Sequence, residues 1–109
     1  MKKVKRARLA EAAGWKVGTV RQFLGLSDEE VAFVDLKLAL ARSLRSRRER
    51  KGLTQNQLAE LIESSQSRVA KMEAGDRTVS LDLLVRSLLA MGTTKRELAR
   101  IIYAPRRAA

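Results

Sequence analysis

Cysteine and histidine are both absent from this sequence of 109 residues. Without cysteine, the chain can form neither a disulfide nor a thiolate metal site. Without histidine, it lacks the commonest metal ligand and the commonest general base of enzymes. The sequence also shows no glycine-rich phosphate loop and no apparent cluster of metal ligands. We therefore expect that the protein is not an enzyme and needs no metal or other cofactor.

Aromatic residues and proline are scarce. Aromatic residues make up 4% of the chain and proline occurs once, although 45% of the residues are hydrophobic. A core must therefore consist mostly of Leu, Val, Ile and Ala, a composition that suits packed helices better than sheets. No segment shows the strict alternation of a half-buried strand. At this chain length, the composition predicts an all-α fold with one globular domain.

A long apolar run is missing as well. No segment approaches the roughly 18–20 apolar residues of a membrane-spanning helix. The basic start MKKVKRAR resembles the first part of a signal peptide, but Glu11, Gly14 and Lys16 interrupt the apolar stretch that would have to follow. We therefore expect a cytoplasmic protein without a membrane partner.

Basic residues outnumber acidic residues by 23 to 12, which gives a formal net charge of +11. On so small a chain this charge favours a polyanionic partner. Charge alone does not separate DNA from RNA or an acidic membrane, and it is also compatible with a merely soluble surface. Recognition of single-stranded RNA usually needs aromatic stacking platforms, which are few here.

Capping and stop signals predict one long helix that begins after Ser27. Ser27 and Glu30 have the spacing of a capping box, and no glycine or proline follows until Gly52. The pattern leaves open whether this helix breaks near Phe33. Its apolar positions recur at helical spacing, and its last turns gather basic residues: Arg42, Arg45, Arg47, Arg48, Arg50 and Lys51.

Four shorter helices are predicted after the long one. Thr54 is a predicted N-cap for QNQLAELI, and a polar break separates this segment from QSRVAKME. Ser80 is the predicted cap of LDLLVRSLLAM, which ends at Gly92, and Thr93 or Thr94 caps KRELARIIY. The chain therefore has the helix content of a small helical domain.

The two segments after Thr54 have the features of a helix-turn-helix. The small side chain of Ala59 permits a close crossing of the two helices, and Val69 faces the same junction. The second helix then presents hydrogen-bonding and cationic side chains suited to base edges and phosphates in a major groove: Gln66, Ser67, Arg68 and Lys71. Gln55 begins the first helix, where free backbone N–H groups can hold a phosphate. Arg77, in the following loop, completes the predicted DNA-binding set.

The segment GLTQNQLAELIESSQSRVAKMEAG resembles the helix-turn-helix of the Cro/C1 (XRE, lambda-repressor-like) family. The matching positions are Gln55, Ala59, Ser65, Gln66, Ser67, Val69, Glu73 and Gly75. The likeness extends over about Leu36 to Ile102 and implies a five-helix DNA-binding domain at residues 35–103. Residues 1–34 then form an N-terminal extension with the start of the long helix, and residues 104–109 form a basic tail. The implied function is a sequence-specific transcriptional regulator of the repressor type that binds double-stranded DNA.

The resemblance also implies a structural ion pair between Arg48 and Glu73 beneath the recognition helix. For the neighbouring Arg47, Arg50 and Lys51, a phosphate contact and a solvated surface remain alternatives. One position departs from the family, which usually has glycine in the turn where this chain has Glu63. Because a glutamate is disfavoured at positive φ, we expect a rearranged turn or a longer first helix.

The N-terminal segment AAGWKVGTVRQFLGLSDEEVAF resembles XRE proteins of the HigA antitoxin type. This likeness implies an alternative function, an antitoxin of a type II pair that neutralises a small ribonuclease toxin and autoregulates its promoter. The simpler alternative is that Trp15, Val17 and Phe23 only extend the core or a dimer contact.

A two-fold homodimer is expected because one recognition helix reads too few base pairs for useful specificity. The interface should lie outside the motif, whose helices are committed to core and DNA. The N-terminal extension, with Trp15 and Phe23, is one candidate. The favoured candidate is the last helix, with Leu98, Ile101, Ile102 and Tyr103.

Overall fold

The computed structural model describes residues 25–104, and within this part the chain forms five helices and no strand. They are α1 (Asp28–Arg50), α2 (Gln55–Leu61), α3 (Gln66–Glu73), α4 (Leu81–Ala90) and α5 (Lys95–Tyr103). The predicted all-α fold is confirmed. Predictions for Trp15, Phe23 and the basic tail lie outside the described residues.

The chain divides into two compact units. One contains Leu36–Ala104, and the other includes the residues up to Asp35. The described residues of the second unit are 25–35, which include the first turns of α1. The features discussed below lie in Leu36–Ala104 unless stated otherwise.

Each helix begins at a side-chain cap. The side chains of Thr54, Ser65, Ser80 and Thr94 accept hydrogen bonds from backbone N–H groups in the first turns of α2, α3, α4 and α5. At Ser27 the backbone N–H donates to Glu30 Oε1 at 2.8 Å, and the Ser27 hydroxyl accepts from the Glu30 N–H at 3.2 Å. The caps at Ser27, Thr54 and Ser80 were predicted from the sequence because a cap requires only a hydroxyl or carboxylate at the right spacing, whereas the cap at Ser65 was not predicted.

Helix α1 is continuous past Phe33 and ends at the predicted glycine. Gly52 has φ +71°, and its N–H donates to the Glu49 carbonyl at 3.0 Å while the Leu53 N–H donates to the Arg48 carbonyl at 3.1 Å. This pair of bonds is a Schellman ending, which requires a left-handed residue that glycine supplies without steric cost.

The core is aliphatic, with two methionines, and every helix except α5 contributes fully buried side chains. Its members are Leu40, Ala41, Leu44, Leu58, Ala59, Val69, Met72, Val79, Leu84, Leu88 and Met91. Helix α5 has no buried residue, although Leu98 and Ile101 pack partly against this core. None of the described helices carries an apolar stretch long enough to cross a membrane.

Candidate DNA interface

Helices α2 and α3 form a tightly packed pair. Leu58 on α2 and Val69 and Met72 on α3 are fully buried, and Ala59 is nearly so. Ala59 and Val69 are the two residues that the sequence indicated for this junction. The buried surface of α3 fixes which of its side chains remain outside.

The turn between these helices keeps its left-handed residue in spite of the glutamate. Glu63 has φ +54°, its N–H donates to the Glu60 carbonyl at 3.2 Å, and the Ser64 N–H donates to the Ala59 carbonyl at 2.7 Å. The expectation of a rearranged turn or a longer first helix was therefore wrong. The two closing hydrogen bonds require positive φ at this position. The left-handed conformation of the glutamate costs about 1–2 kcal/mol, but its side chain is exposed and does not clash with the core.

The outer surface of α3 is polar and cationic. Gln66, Ser67, Arg68 and Lys71 are all exposed, opposite the buried Val69 and Met72. Arg77 is exposed in the loop between α3 and α4. Five of the six predicted DNA-binding residues therefore have side chains available to a partner, whereas the sixth, Gln55, is half-buried.

Both the nitrogen and the oxygen of the Gln55 side-chain amide form hydrogen bonds. Its Nε2 donates to Glu73 Oε1 at 3.1 Å, and its Oε1 accepts from Gln66 Nε2 at 2.7 Å. The amide therefore links the start of α2 to both the start and the end of α3. Gln66 keeps its carbonyl oxygen and one N–H for an outside partner.

Glu73 also receives Arg48 from α1 in a bidentate ion pair. Arg48 Nε lies 2.5 Å from Glu73 Oε2, Nη2 lies 3.1 Å from Oε1, and the two side chains are 12% and 4% exposed. The remaining Arg48 nitrogen, Nη1, donates to the Leu53 carbonyl at 2.7 Å. The hydrogen bond with Glu73 raises the pKa of Arg48.

These contacts form one continuous network from Arg48 through Glu73 and Gln55 to Gln66. It connects α1 and α2 to both ends of α3, and its last member lies on the exposed surface of α3. The two glutamine contacts were missed by sequence reasoning. The available signal was that α2 and α3 both begin with glutamine, but spacing along the chain does not show that two helix starts meet.

Comparison with known proteins supports what this geometry indicates. A family model described as a helix-turn-helix domain matches residues 39–101. The chain belongs to the XRE-like helix-turn-helix family. Control protein C.SmaI of Serratia marcescens is 32% identical over 69 residues, which cover 63% of this chain and 82% of that protein. No solved structure matches the chain.

Membership of this family makes the protein a DNA-binding regulator. The resemblance inferred from the motif is thereby confirmed at the level of family, fold and regulatory class. In this XRE-like domain, α3 occupies the position of the second helix of the motif and Gln55 that of the first residue of the preceding helix.

Arg47 has an internal partner, so the solvated-surface alternative was wrong for it. Its Nη1 lies 3.1 Å from Glu97 Oε2, and its Nη2 donates to the Gly92 carbonyl at 3.2 Å. The backbone N–H of Thr94, and secondarily Arg47, lower the pKa of Glu97. Arg47 therefore ties α1 to the start of α5, whereas Arg50 and Lys51 are exposed.

The loop that carries Arg77 contains internal hydrogen bonds. Asp76 Oδ1 accepts the Thr78 N–H at 2.8 Å and the Thr78 hydroxyl at 2.6 Å, and both bonds lower the pKa of Asp76. Hydrogen bonds within the loop thus hold the backbone that carries Arg77.

Between residues 25 and 104, no group of three acidic side chains is placed to hold a metal ion.

Proposed function

We propose that this protein is a sequence-specific transcriptional repressor that binds double-stranded DNA as a homodimer. The observation that carries the proposal is the polar and cationic outer surface of α3, which is fixed by a buried core on one side. This surface has the side chains that read base edges, on a helix whose position the Arg48–Glu73 pair determines. A repressor acts by occupying its site, which requires only this binding.

The exposed residues divide into two roles. Gln66 and Arg68, in the first turn of α3, are assigned to base edges, because amide and guanidinium groups form bidentate bonds with purines. Ser67 and Lys71 flank them on the same helix, within reach of bases or phosphates. Arg77 is assigned to a phosphate, since a loop beside the motif approaches the DNA backbone.

Gln55 is assigned to a phosphate at the start of α2, but it has a second role. Its carbonyl oxygen accepts from Gln66, so it also orients the amide assigned to a base. Its other contact, to the buried Glu73, fixes its own orientation. Gln55 therefore couples the docking of the protein on the DNA backbone to the reading of sequence.

The dimer surface is assigned to α5. Ile102 and Tyr103 are 56% and 86% exposed, and Leu98 and Ile101 are only partly covered by the core. A second copy related by a two-fold axis would cover these side chains and place two α3 helices one DNA turn, or ~34 Å, apart.

An antitoxin function is the second candidate, and it rests on the N-terminal unit. Phe33 and Val34, in the described residues of that unit, are exposed apolar side chains. A ribonuclease toxin that covers them would be neutralised, and the DNA-binding domain would then serve autoregulation. A toxin reading frame beside the gene, with inhibition of its purified ribonuclease by this protein, is the expected finding. Undiminished ribonuclease activity at saturating protein would reject this function.

The main proposal is tested by footprinting on the DNA upstream of the protein's own gene, with titrations at several salt concentrations. We expect one protected site with two half-sites. For ~6–10 phosphate contacts, affinity should fall about 10³–10⁵-fold between ~50 and ~200 mM salt. Absence of any protected site, or binding that does not respond to salt, would contradict the proposal.

A further inference from the structure

Lys37 is a lysine that the fold covers almost completely. It lies on α1, is 8% exposed, and its burial lowers the pKa of its ammonium group. Removing an ammonium group from water is unfavourable unless the group finds a partner. An apolar residue of the same length would fill this space without that cost, so the donor itself requires an explanation.

The partner of Lys37 is the loop between α3 and α4. Its Nζ donates to the backbone carbonyl of Arg77 at 3.2 Å. This hydrogen bond joins a side chain of α1 to the backbone of the loop, 40 positions away in the sequence. It pulls the Arg77 carbonyl inward, while the Arg77 side chain stays exposed.

Three other contacts hold the same loop. On the N-terminal side of Arg77, a Cβ built on Gly75 would lie 2.7 Å from Leu38 Cδ2, so the backbone there passes close to α1. Asp76 binds Thr78 across Arg77, as described above. On the C-terminal side, Val79 is buried and its N–H donates to the Asp76 carbonyl at 3.1 Å. With an apolar residue in place of Lys37, the Arg77 carbonyl would lose this side-chain hydrogen bond.

We propose that Lys37 is a positioning residue for DNA binding, which fixes the backbone at Arg77 so that the guanidinium meets a DNA phosphate. The inference rests on the proposed function, because it takes Arg77 as a phosphate contact. It adds that the contact depends on a buried group that never touches DNA. The Lys37 ammonium thus connects α1 to a part of the interface outside α2 and α3.

The experiment compares Lys37→Met, which keeps the length of the side chain, with Lys37→Arg, which keeps a donor. Arg86→Met serves as the control, since it removes one exposed charge from α4. Hydrogen exchange at the amides of Thr78 and Val79 reports on the loop without DNA. We expect Lys37→Met to accelerate this exchange about 3–10-fold, the equivalent of one net hydrogen bond. Lys37→Arg and Arg86→Met should leave it near the wild-type rate.

DNA affinity is then measured for Arg77→Ala in the wild-type and Lys37→Met backgrounds. We expect Arg77→Ala to weaken binding several-fold in the wild type and to have little further effect after Lys37→Met. Equal weakening in both backgrounds, or unchanged loop exchange, would overturn the proposal. If Arg77→Ala has no effect in the wild type, the role of Arg77 is wrong and this inference falls with it. Failure of the wild type to bind duplex DNA would instead overturn the proposed function.

A measurement on the wild type covers the case in which Lys37→Met does not fold. The ammonium protons of Lys37 should exchange slowly enough to give a nitrogen-correlated NMR signal, with contacts to the Arg77–Thr78 backbone. The exposed Lys95 provides the comparison within the same spectrum. A Lys37 ammonium that exchanges as fast as that of Lys95 would overturn the proposal.

Discussion

Helices α3 and α5 have similar lengths, 8 and 9 residues, but are held in opposite ways. Helix α3 buries Val69 and Met72 completely and is bonded near both ends through Gln66 and Glu73. Helix α5 buries no residue completely, and Arg47 ties its first turn to α1.

The surfaces that remain exposed also differ. Helix α3 presents amide, hydroxyl and cationic groups, whereas α5 presents Ile102 and Tyr103 near its end. A helix that reads base edges needs a fixed position, because hydrogen bonds tolerate little displacement. A helix that forms a dimer contact needs uncovered apolar area instead. The difference in anchoring therefore corresponds to the two roles proposed for these helices.

The largest expected effect comes from removing the anchor of α3. Arg48→Ala and Glu73→Ala should each destabilise the fold by about 3–5 kcal/mol, because each leaves a buried charge without its partner. The double substitution should cost less than the sum of the two. Denaturant melting of all four proteins measures this coupling.

The exposed pair Asp82–Arg86 provides the control for that cycle. Its side chains are mostly solvated, so removing either should change the free energy of unfolding by about 0–1 kcal/mol. Additive losses for Arg48 and Glu73 would show that their contact does not anchor α3.

The next effect concerns α5. Ile102→Asp should weaken dimerisation at least ~30-fold, the factor that corresponds to a hot-spot loss of ~2 kcal/mol, and leave the fold intact. Sedimentation over a concentration series measures this, with Leu89→Asp on α4 as an exposed apolar control. A point substitution is sharper than truncation after Gly92, which would also strip Leu98 and Ile101 from the core. An unchanged dimer would move the interface away from α5.

The smallest effect lies in the turn before α3. Glu63→Gly should raise the free energy of unfolding by about 0.5–1 kcal/mol, because relief of the left-handed glutamate exceeds the added flexibility of glycine. Glu60→Gly, inside α2, should lower it by a similar amount. Thermal or denaturant melting distinguishes the two. A Glu63→Gly protein less stable than the wild type would mean that the glutamate makes a favourable contribution of its own.

Sequence alone indicated the features that depend on near neighbours. The caps at Thr54 and Ser80 and the helix end at Gly52 follow from residue type and local spacing. For α5, the sequence left Thr93 and Thr94 as alternatives, and the structure shows Thr94 as the cap.

Features that depend on distant partners could not be read in this way. Arg47 and Glu97 lie 50 positions apart, and nothing local distinguishes Arg47 from its exposed neighbours Arg50 and Lys51. The bond from Lys37 to Arg77 has the same character, because a lysine on a helix is usually solvated. The prediction for the turn at Glu63 was wrong for another reason. The hydrogen bonds that close the turn outweigh the preference of glutamate for negative φ.

The central claim is that α3 reads sequence while the loop after it contacts the backbone. It is tested most directly by the affinities of wild type, Arg68→Ala and Arg77→Ala for the footprinted site and for a random duplex of equal length. Arg68→Ala should reduce the free-energy difference between specific and random binding by about 1–3 kcal/mol, which lowers the ratio of the two affinities, whereas Arg77→Ala should weaken both and preserve the ratio. Equal ratios for the two substitutions would contradict this division of roles.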